Sequence, residues 1–388
     1  KYVLGIKGGN LDSYFSGEEE LRKRVARETK DQDVTVIEGV MGYYDGLGGN
    51  TTAASTYDIA RITRTPSILV IDGKGMSLSM AALIKGFREF PEDSRIEGVI
   101  ANRTSAGMES RLKKITEDAG CRFLGCFPEH KEWKWESRHL GLFLPGEMDG
   151  LKETLEKGAE EVEKYLDIDG LLKIGRNGEK LDEGLWEPPS FKAKEKVGIA
   201  VARDEAFCFY YEENLDLLEK MGGELKFFSP LHDRKLPENI DGILLGGGYP
   251  ETCARQLSEN EDLREEIRNM AEKGMPILGE CGGFLYLLDE LEGEDGMVYP
   301  MAGVLEGRGM KRNHLVRFGY GEFTAGKDSC FLKPGDRIKG HEFHYWDSSW
   351  NGEVYEGKKT SGQSYGCIRR KYNTEAGFPH FYYPSAPS

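Results

Sequence analysis

The sequence predicts two α/β domains in tandem, and three observations carry that prediction. Short apolar, β-branched runs end in clusters of Gly, Asp, Asn or Glu and alternate with amphipathic stretches of helical length. The runs are continuously apolar, as parallel strands covered on both faces require. The alternation stops over 151–195 and restarts at Val197, and 388 residues suit two domains. Residues 1–150 are therefore assigned to one domain, 151–195 to a helix and linker, and 196–388 to a second domain.

In the first half Val34–Ile37 reads as a strand ending at Glu38-Gly39, Ser67–Ile71 as one ending at Asp72-Gly73, and Ile96–Ala101 as one ending at Asn102. Residues 77–90 and 108–119 read as the helices between them. Gly150–Leu166 is a charged helix, and Pro188-Pro189 followed by alternating charge reads as a solvated linker. The second half gives strands at Val197–Ala202, Gly242–Leu245 and Pro276–Leu278, and helices over 209–221, 261–273 and 284–291. Beyond about residue 297 the signals are short and β-like, rich in Gly and aromatics. Ligands in parallel sheets sit beyond the carboxyl ends of the strands, where Glu38, Asp45, Asp72 and Asn102 fall.

With 52 Lys and Arg against 67 Asp and Glu the chain carries a net charge of −15, which argues against a general nucleic-acid binder. No apolar run approaches the roughly 18 residues needed to span a bilayer, so no membrane partner is expected. Seven scattered cysteines without a CxxC pair are not a disulfide framework, and a reducing cytoplasm is the expected compartment.

Gly279-Glu280-Cys281-Gly282-Gly283 sits between a strand and a helix, in the pattern of a nucleophile elbow. The glycines allow a strained turn, and a following helix N-terminus would favour thiolate over thiol. The other six cysteines read as ordinary packed residues. His341, His344 and His380 are all candidates for the base that such a nucleophile needs. Gly246-Gly247-Gly248, at a neighbouring strand end, can bring backbone amides close to a developing oxyanion, and Gly282 can do so from the elbow itself.

Three segments together, Gly246-Gly247-Gly248-Tyr249-Pro250-Glu251, the Cys281 elbow and Gly340-His341-Glu342-Phe343-His344, resemble the glutamine amidotransferase domain of the cobyrinic acid a,c-diamide synthase family. Asp204–Leu215 looks like the opening of that domain, and the resemblance covers 196–384. Val36-Ile37-Glu38-Gly39-Val40-Met41-Gly42-Tyr43-Tyr44-Asp45-Gly46 resembles the family's most characteristic run. The fold implied is an incomplete P-loop-type ligase domain, then a class I glutamine amidotransferase-like α/β domain. The resemblance implies that Cys281 attacks the glutamine amide and that His380, in Ala376–Tyr382, is the base. Gly247, Gly248 and Gly282 line the oxyanion and glutamine site. Glu38 would hold Mg²⁺, a role that suits a carboxylate at a strand end. Asp45 would orient substrate, and Asn102 would read the adenine of ATP with a group that both donates and accepts. Arg138 and His139, in Ser137–Leu142, would meet a carboxylate-rich substrate.

The activity implied is ATP- and glutamine-dependent amidation of the a and c acetate groups of a corrinoid tetrapyrrole, with ammonia displacing an acyl phosphate. Hydrogenobyrinate and Ni-sirohydrochlorin fit the same motifs. Glutamine and the tetrapyrrole are the expected partners, with a homodimer among the expected assemblies. No G-x-x-x-x-G-K-[ST] occurs in the sequence, and Asn10-Leu11-Asp12 resembles a segment that follows that loop in the family. The expectation is a fragment without its first βα unit, which leaves a glutaminase with an inactive ATP half as an alternative activity.

Overall fold

The computed structural model describes residues 5, 8–91, 93–130, 133, 137–138, 141–142, 150–181 and 195–386. The chain divides into two compact units, Lys1–Trp186 and Glu187–Ser388.

The first unit runs α1 (Glu18–Thr29), α2 (Thr56–Thr63), β1 (Ser67–Asp72), α3 (Ser79–Glu89), β2 (Ile96–Asn102), α4 (Glu109–Asp118) and β3 (Arg122–Phe127). The two-residue strands β4 (Ser137–Arg138) and β5 (Gly141–Leu142), and the helices α5 (Leu151–Tyr165) and α6 (Ile168–Gly175), follow. Strands β1, β2 and β3 pair in that order, all parallel. Met80 and Ile84 of α3 and Leu112 and Ile115 of α4 bury against Ile71, Val99 and Ala101 on one face. On the other face Gly98 lets Leu124 and Ile174 close over the sheet, since a Cβ there would stand 2.6 Å from Leu124 and 2.8 Å from Ile174.

Two expectations are corrected in this unit. Val34–Ile37 is not a strand: among the described residues its backbone has no ladder partner, and Val34 and Val36 are 58% and 86% exposed. A strand signal in sequence records apolar, β-branched residues, but a strand exists only where a neighbour takes its hydrogen bonds. The sheet is also not covered on both faces at β1, where Val70 is exposed.

The second unit holds a six-stranded sheet ordered β18-β19-β9-β8-β6-β7. Its members are β6 (Val197–Ala202), β7 (Gly223–Phe228), β8 (Gly242–Leu245), β9 (Ile277–Glu280), β18 (Arg369–Lys371) and β19 (Thr374–Gly377). The pairs from β7 through β19 are parallel, and β18 closes the edge antiparallel. Helices α7 (Glu212–Lys220), α8 (Ala254–Glu259), α9 (Glu261–Glu272) and α10 (Gly282–Leu287) connect the strands. Helix α10 stops four residues short of the expected 291, and the chain continues directly as strand β10 (Leu288–Glu292). Strands β11 (Val298–Pro300), β12 (Leu305–Lys311) and β15 (Trp346–Ser348) join β10 in a four-stranded sheet. Strands β13 (Arg317–Ala325), β14 (Arg337–His344), β16 (Tyr355–Lys359), β17 (Ser364–Cys367) and β20 (His380–Tyr382) form a five-stranded one, with β20 at its edge beside β14. Phe207, Leu257, Ile267, Phe284 and Phe378 fill the main core. The arrangement is α/β, with a largely parallel six-stranded sheet beside two further sheets.

Candidate functional site in the second unit

Strand β9 ends at Glu280, and the chain turns at Cys281 with φ 48° and ψ −99° before α10 begins. A positive φ at a residue with a Cβ costs on the order of 1–3 kcal/mol and persists only where its surroundings hold it. They do so here. The Cys281 amide donates to Gly377 O at 2.7 Å, the Gly283 amide to Gly246 O at 2.9 Å, and the Leu285 amide to Cys281 O at 3.0 Å. The flanking glycines are needed for close approach: a Cβ on Gly283 would fall 2.0 Å from Leu245 O, and one on Gly282 3.0 Å from the Gly248 nitrogen. The elbow is thus pressed against Gly247-Gly248, and the Gly248 amide nitrogen faces the nucleophile turn.

His380 reaches the same loop from the other sheet. A Cβ on Gly247 would fall 2.2 Å from its Cε1, so the missing side chain makes room for the imidazole. Strand β20 pairs antiparallel with β14, placing His341 opposite His380, and the two rings stack at 4.8 Å. His341 Nδ1 shares a 2.8 Å hydrogen bond with the Tyr211 hydroxyl. His344 donates from Nδ1 to Trp346 O at 2.6 Å and stacks on Phe378 at 3.8 Å, with its buried Nε2 unpartnered.

Burial sets the protonation of the cluster. Desolvation pushes His380 well below the ordinary histidine range, reinforced by His341 and His344, and brings His341 and His344 down to about 4. All three imidazoles are neutral at neutral pH. At Cys281 the surroundings work against the expected thiolate. Burial pushes the thiol up, the Glu251 and Glu342 carboxylates push it further, and the Gly282 amide only partly offsets them. Helix α10 has six residues, too few for its dipole to outweigh that desolvation. Among the described residues no hydrogen bond joins the Cys281 sulfur to an imidazole. The Cys281 turn and the His380 ring both pack against the Gly247-Gly248 loop.

Two buried acids were not singled out as functional from the sequence. Glu280 is 6% exposed and accepts hydrogen bonds from the Phe381 amide at 3.4 Å and the Tyr383 hydroxyl at 3.1 Å. Burial pushes it up to about 8. Glu342, on β14, lies between the Tyr365 hydroxyl and Arg317, 3.5 Å away, and burial raises it too. A signal for Glu280 existed: an acid closing an otherwise apolar strand beside a cysteine.

The first unit places its predicted residues differently. Glu38 is exposed, just after the Val34–Ile37 run. Asp45 is exposed and folds its carboxylate over Gly42, where a Cβ would be 2.0 Å from Oδ2. Asn102, at the end of β2, uses Oδ1 to accept the Arg103 amide at 3.0 Å. It also lines a cavity of about 450 Å³ with Phe127, Pro128, His130 and Trp133, at the carboxyl ends of β2 and β3. Arg138 contributes backbone to β4, its side chain lies outside the described residues, and so does all of His139. Among the described residues no three His, Cys, Asp or Glu side chains gather as a metal site, and no helix is long and apolar enough to cross a membrane.

Residues 198–387 match the profile of the CobB/CobQ-like glutamine amidotransferase domain. The cobyrinate a,c-diamide synthase of Caldanaerobacter subterraneus subsp. tengcongensis is 40% identical over 354 residues, covering 89% of this chain and 76% of that protein. The enzyme of the same name from Thermoplasma volcanium is 40% identical over 88% of this chain and 74% of its own length. That from Priestia megaterium is 36% identical over 97% and 82%. Identity of this degree, along most of the chain and most of each relative, makes the chain a member of the cobyrinate a,c-diamide synthase family.

Proposed function

We propose that the chain catalyses ATP- and glutamine-dependent amidation of the a and c acetate carboxylates of a cobyrinate-type tetrapyrrole. The observation that carries the glutamine half is Cys281 on a strained turn that shares the Gly247-Gly248 loop with a neutral His380. Because burial, and after it the Glu251 and Glu342 carboxylates, push the thiol up, a free thiolate is not the resting state. Attack on the glutamine carbonyl is therefore coupled to proton transfer from Cys281 to His380, and the imidazolium formed stabilises the sulfur anion as it develops. His380 then gives that proton to the departing ammonia. The glutamyl thioester is hydrolysed by water, with His380 again as base. Gly248 and Gly282 amides are the donors for the oxyanion, and Gly247 admits the ring.

The first unit is read as the ligase half. ATP activates the substrate carboxylate as an acyl phosphate, which ammonia displaces. The Asn102 cavity, walled by Phe127, His130 and Trp133, suits a purine, and the carboxamide offers both a donor and an acceptor to its edge. Mg²⁺ keeps most of its waters and takes one or two protein carboxylates beside substrate phosphates. One exposed carboxylate at Glu38 fits that donor set. Asp45, Arg138 and His139 are assigned to the substrate. The relatives' names favour cobyrinate over hydrogenobyrinate or Ni-sirohydrochlorin.

Glutamate release from glutamine, and conversion of cobyrinate to its amides in the presence of ATP and Mg²⁺, test the two halves separately. Glutamate release with a half-maximal rate set by glutamine, and mass shifts for two successive amidations, are expected. No glutamate from the folded chain would overturn the Cys281 assignment; glutamate without amides would leave a glutaminase.

A further inference from the structure

The base-bearing strand is poorly supported by its own sheet. The chain leaves the six-stranded sheet at Gly377, crosses through Phe378 and Pro379, and enters the five-stranded sheet at His380. Strand β20 is three residues long and lies at an edge, paired among the described residues with β14 alone. A strand this short has little ladder to fix its position. Its other edge is held by two buried side chains from the first sheet and its helices. Glu280 Oε1 accepts from the Phe381 amide and from the Tyr383 hydroxyl, at 3.4 and 3.1 Å. Asn214, 4% exposed on α7, donates from Nδ2 to Phe381 O at 2.7 Å and accepts the Tyr383 amide on Oδ1 at 2.9 Å. The amide of Asn214 thus stands in for a neighbouring strand across residues 381 and 383. Glu280 is bonded directly to Cys281, so its carboxyl ties the strand of the nucleophile to the strand of the base.

We propose that Glu280 and Asn214 are positioning residues for glutamine hydrolysis: together they clamp the free edge of β20 and so hold the His380 imidazole at the Cys281 turn. The clamp rests on the glutaminase reading above. Glu280 acts as a hydrogen-bond acceptor, so Gln can replace it. Ala at 280 leaves the Phe381 amide and the Tyr383 hydroxyl without their acceptor, and Ala at 214 frees both backbone groups. Displacement of a reacting group by about 1 Å can cost 100-fold in rate.

The experiment measures kcat and KM for glutamate release, the rate of Cys281 alkylation by iodoacetamide against pH, and the melting temperature, all on the full chain. Glu280→Ala and Asn214→Ala are expected to lose roughly 30-fold or more in kcat, with KM within about 3-fold. Glu280→Gln is expected within about 3-fold of the parent in kcat, and alkylation to slow in both alanine variants. Should an alanine variant fail to fold, Glu280→Gln and Asn214→Asp are read instead. The aspartate keeps the acceptor and loses the donor, and is expected to lose about 10-fold in kcat at unchanged KM. Wild-type kcat in Glu280→Ala and Asn214→Ala, or in Asn214→Asp, would overturn the clamp, as would a Gln variant as impaired as the Ala one or a loss confined to KM. A parent chain that releases no glutamate defeats the glutaminase reading. A parent that does, with clamp variants at full kcat, defeats only the clamp.

Discussion

Two loops in this molecule begin alike and end differently. Both the Glu38–Gly46 loop and the Glu280–Gly283 turn follow an apolar, β-branched or aliphatic run and combine an acid with glycines. At the second, the run is a paired strand, the acid is 6% exposed and hydrogen-bonded twice, and the glycines are pressed on backbone. At the first, the run has no ladder among the described residues, the acid is exposed, and Val40 and Met41 are 87% and 63% exposed. Neighbouring strands fix the geometry of the second motif and, among the described residues, not that of the first. The Cys281 turn is built by four elements, β8, β9, α10 and β19, that no local sequence window contains.

The largest effect that tests this contrast is removal of the sulfur. Cys281→Ala is expected to bring glutamate release to background, a loss of at least about a thousand-fold, because the covalent route disappears. The melting temperature should stay near the parent, since the side chain lost is small. Persistent glutamate release in that variant would place the nucleophile elsewhere.

Next comes the loop that receives the imidazole. Gly247→Ala puts a Cβ 2.2 Å from His380 Cε1, so either the ring or the loop must shift. A fall in kcat of about 100-fold is expected, with a smaller change in KM, read in the same assay. Activity within about 3-fold of the parent would show that His380 is not held against Gly247 during turnover.

How far the sequence revealed this site follows from the same contrast. Cys281 and the three glycines stand out in the sequence as local exceptions, glycine where bulk is usual and cysteine where strand becomes helix, whereas His380 is one of three candidate histidines and only the family resemblance singles it out. The fold class was visible for a related reason, since continuous apolar runs such as Ile243–Leu245 are buried on both faces. The protonation state was not visible. Glu251 and Glu342 lie 30 residues before Cys281 and 61 after it, and only the fold brings their charges to bear on one sulfur. Asn214 was hidden too, although a polar residue beside Leu215 and Leu217 on the buried face of α7 carried a faint signal. The Val34–Ile37 run misled because composition cannot say whether a strand has a partner.

The buried acid gives a pH test of intermediate size. Glu280 is raised to about 8, so the folded chain holds a proton that the unfolded chain releases near the ordinary carboxylate value of 4.5. Its contribution to stability is complete below about 4.5 and is lost as pH rises through about 8. His341 and His344, lowered to about 4, act in the opposite sense: they reduce stability as pH falls from 6.5 toward 4. Between pH 6.5 and 8, therefore, Glu280 dominates this group, and the urea midpoint should fall. The fall should be absent or much reduced in Glu280→Gln. A Gln variant with the parent's slope would mean that Glu280 is already ionised in the folded chain.

The smallest effect belongs to the exposed run, and it sharpens the comparison most directly. Val36 is 86% exposed and Val201, on β6, is 0% exposed. Val→Thr exchanges one methyl for a hydroxyl of similar size at either position. At Val201 the hydroxyl must find a partner inside the sheet or lose its hydration, at a cost of about 1–3 kcal/mol. At Val36 water hydrates it, and a change within about 0.5 kcal/mol is expected. Urea unfolding of the two variants, followed by probes in each unit, measures both. A loss at Val36 comparable to that at Val201 would show that the run is covered in solution. The contrast between the two loops would then lie in what covers the first one, and Glu38 would have the support that its neighbours among the described residues do not supply.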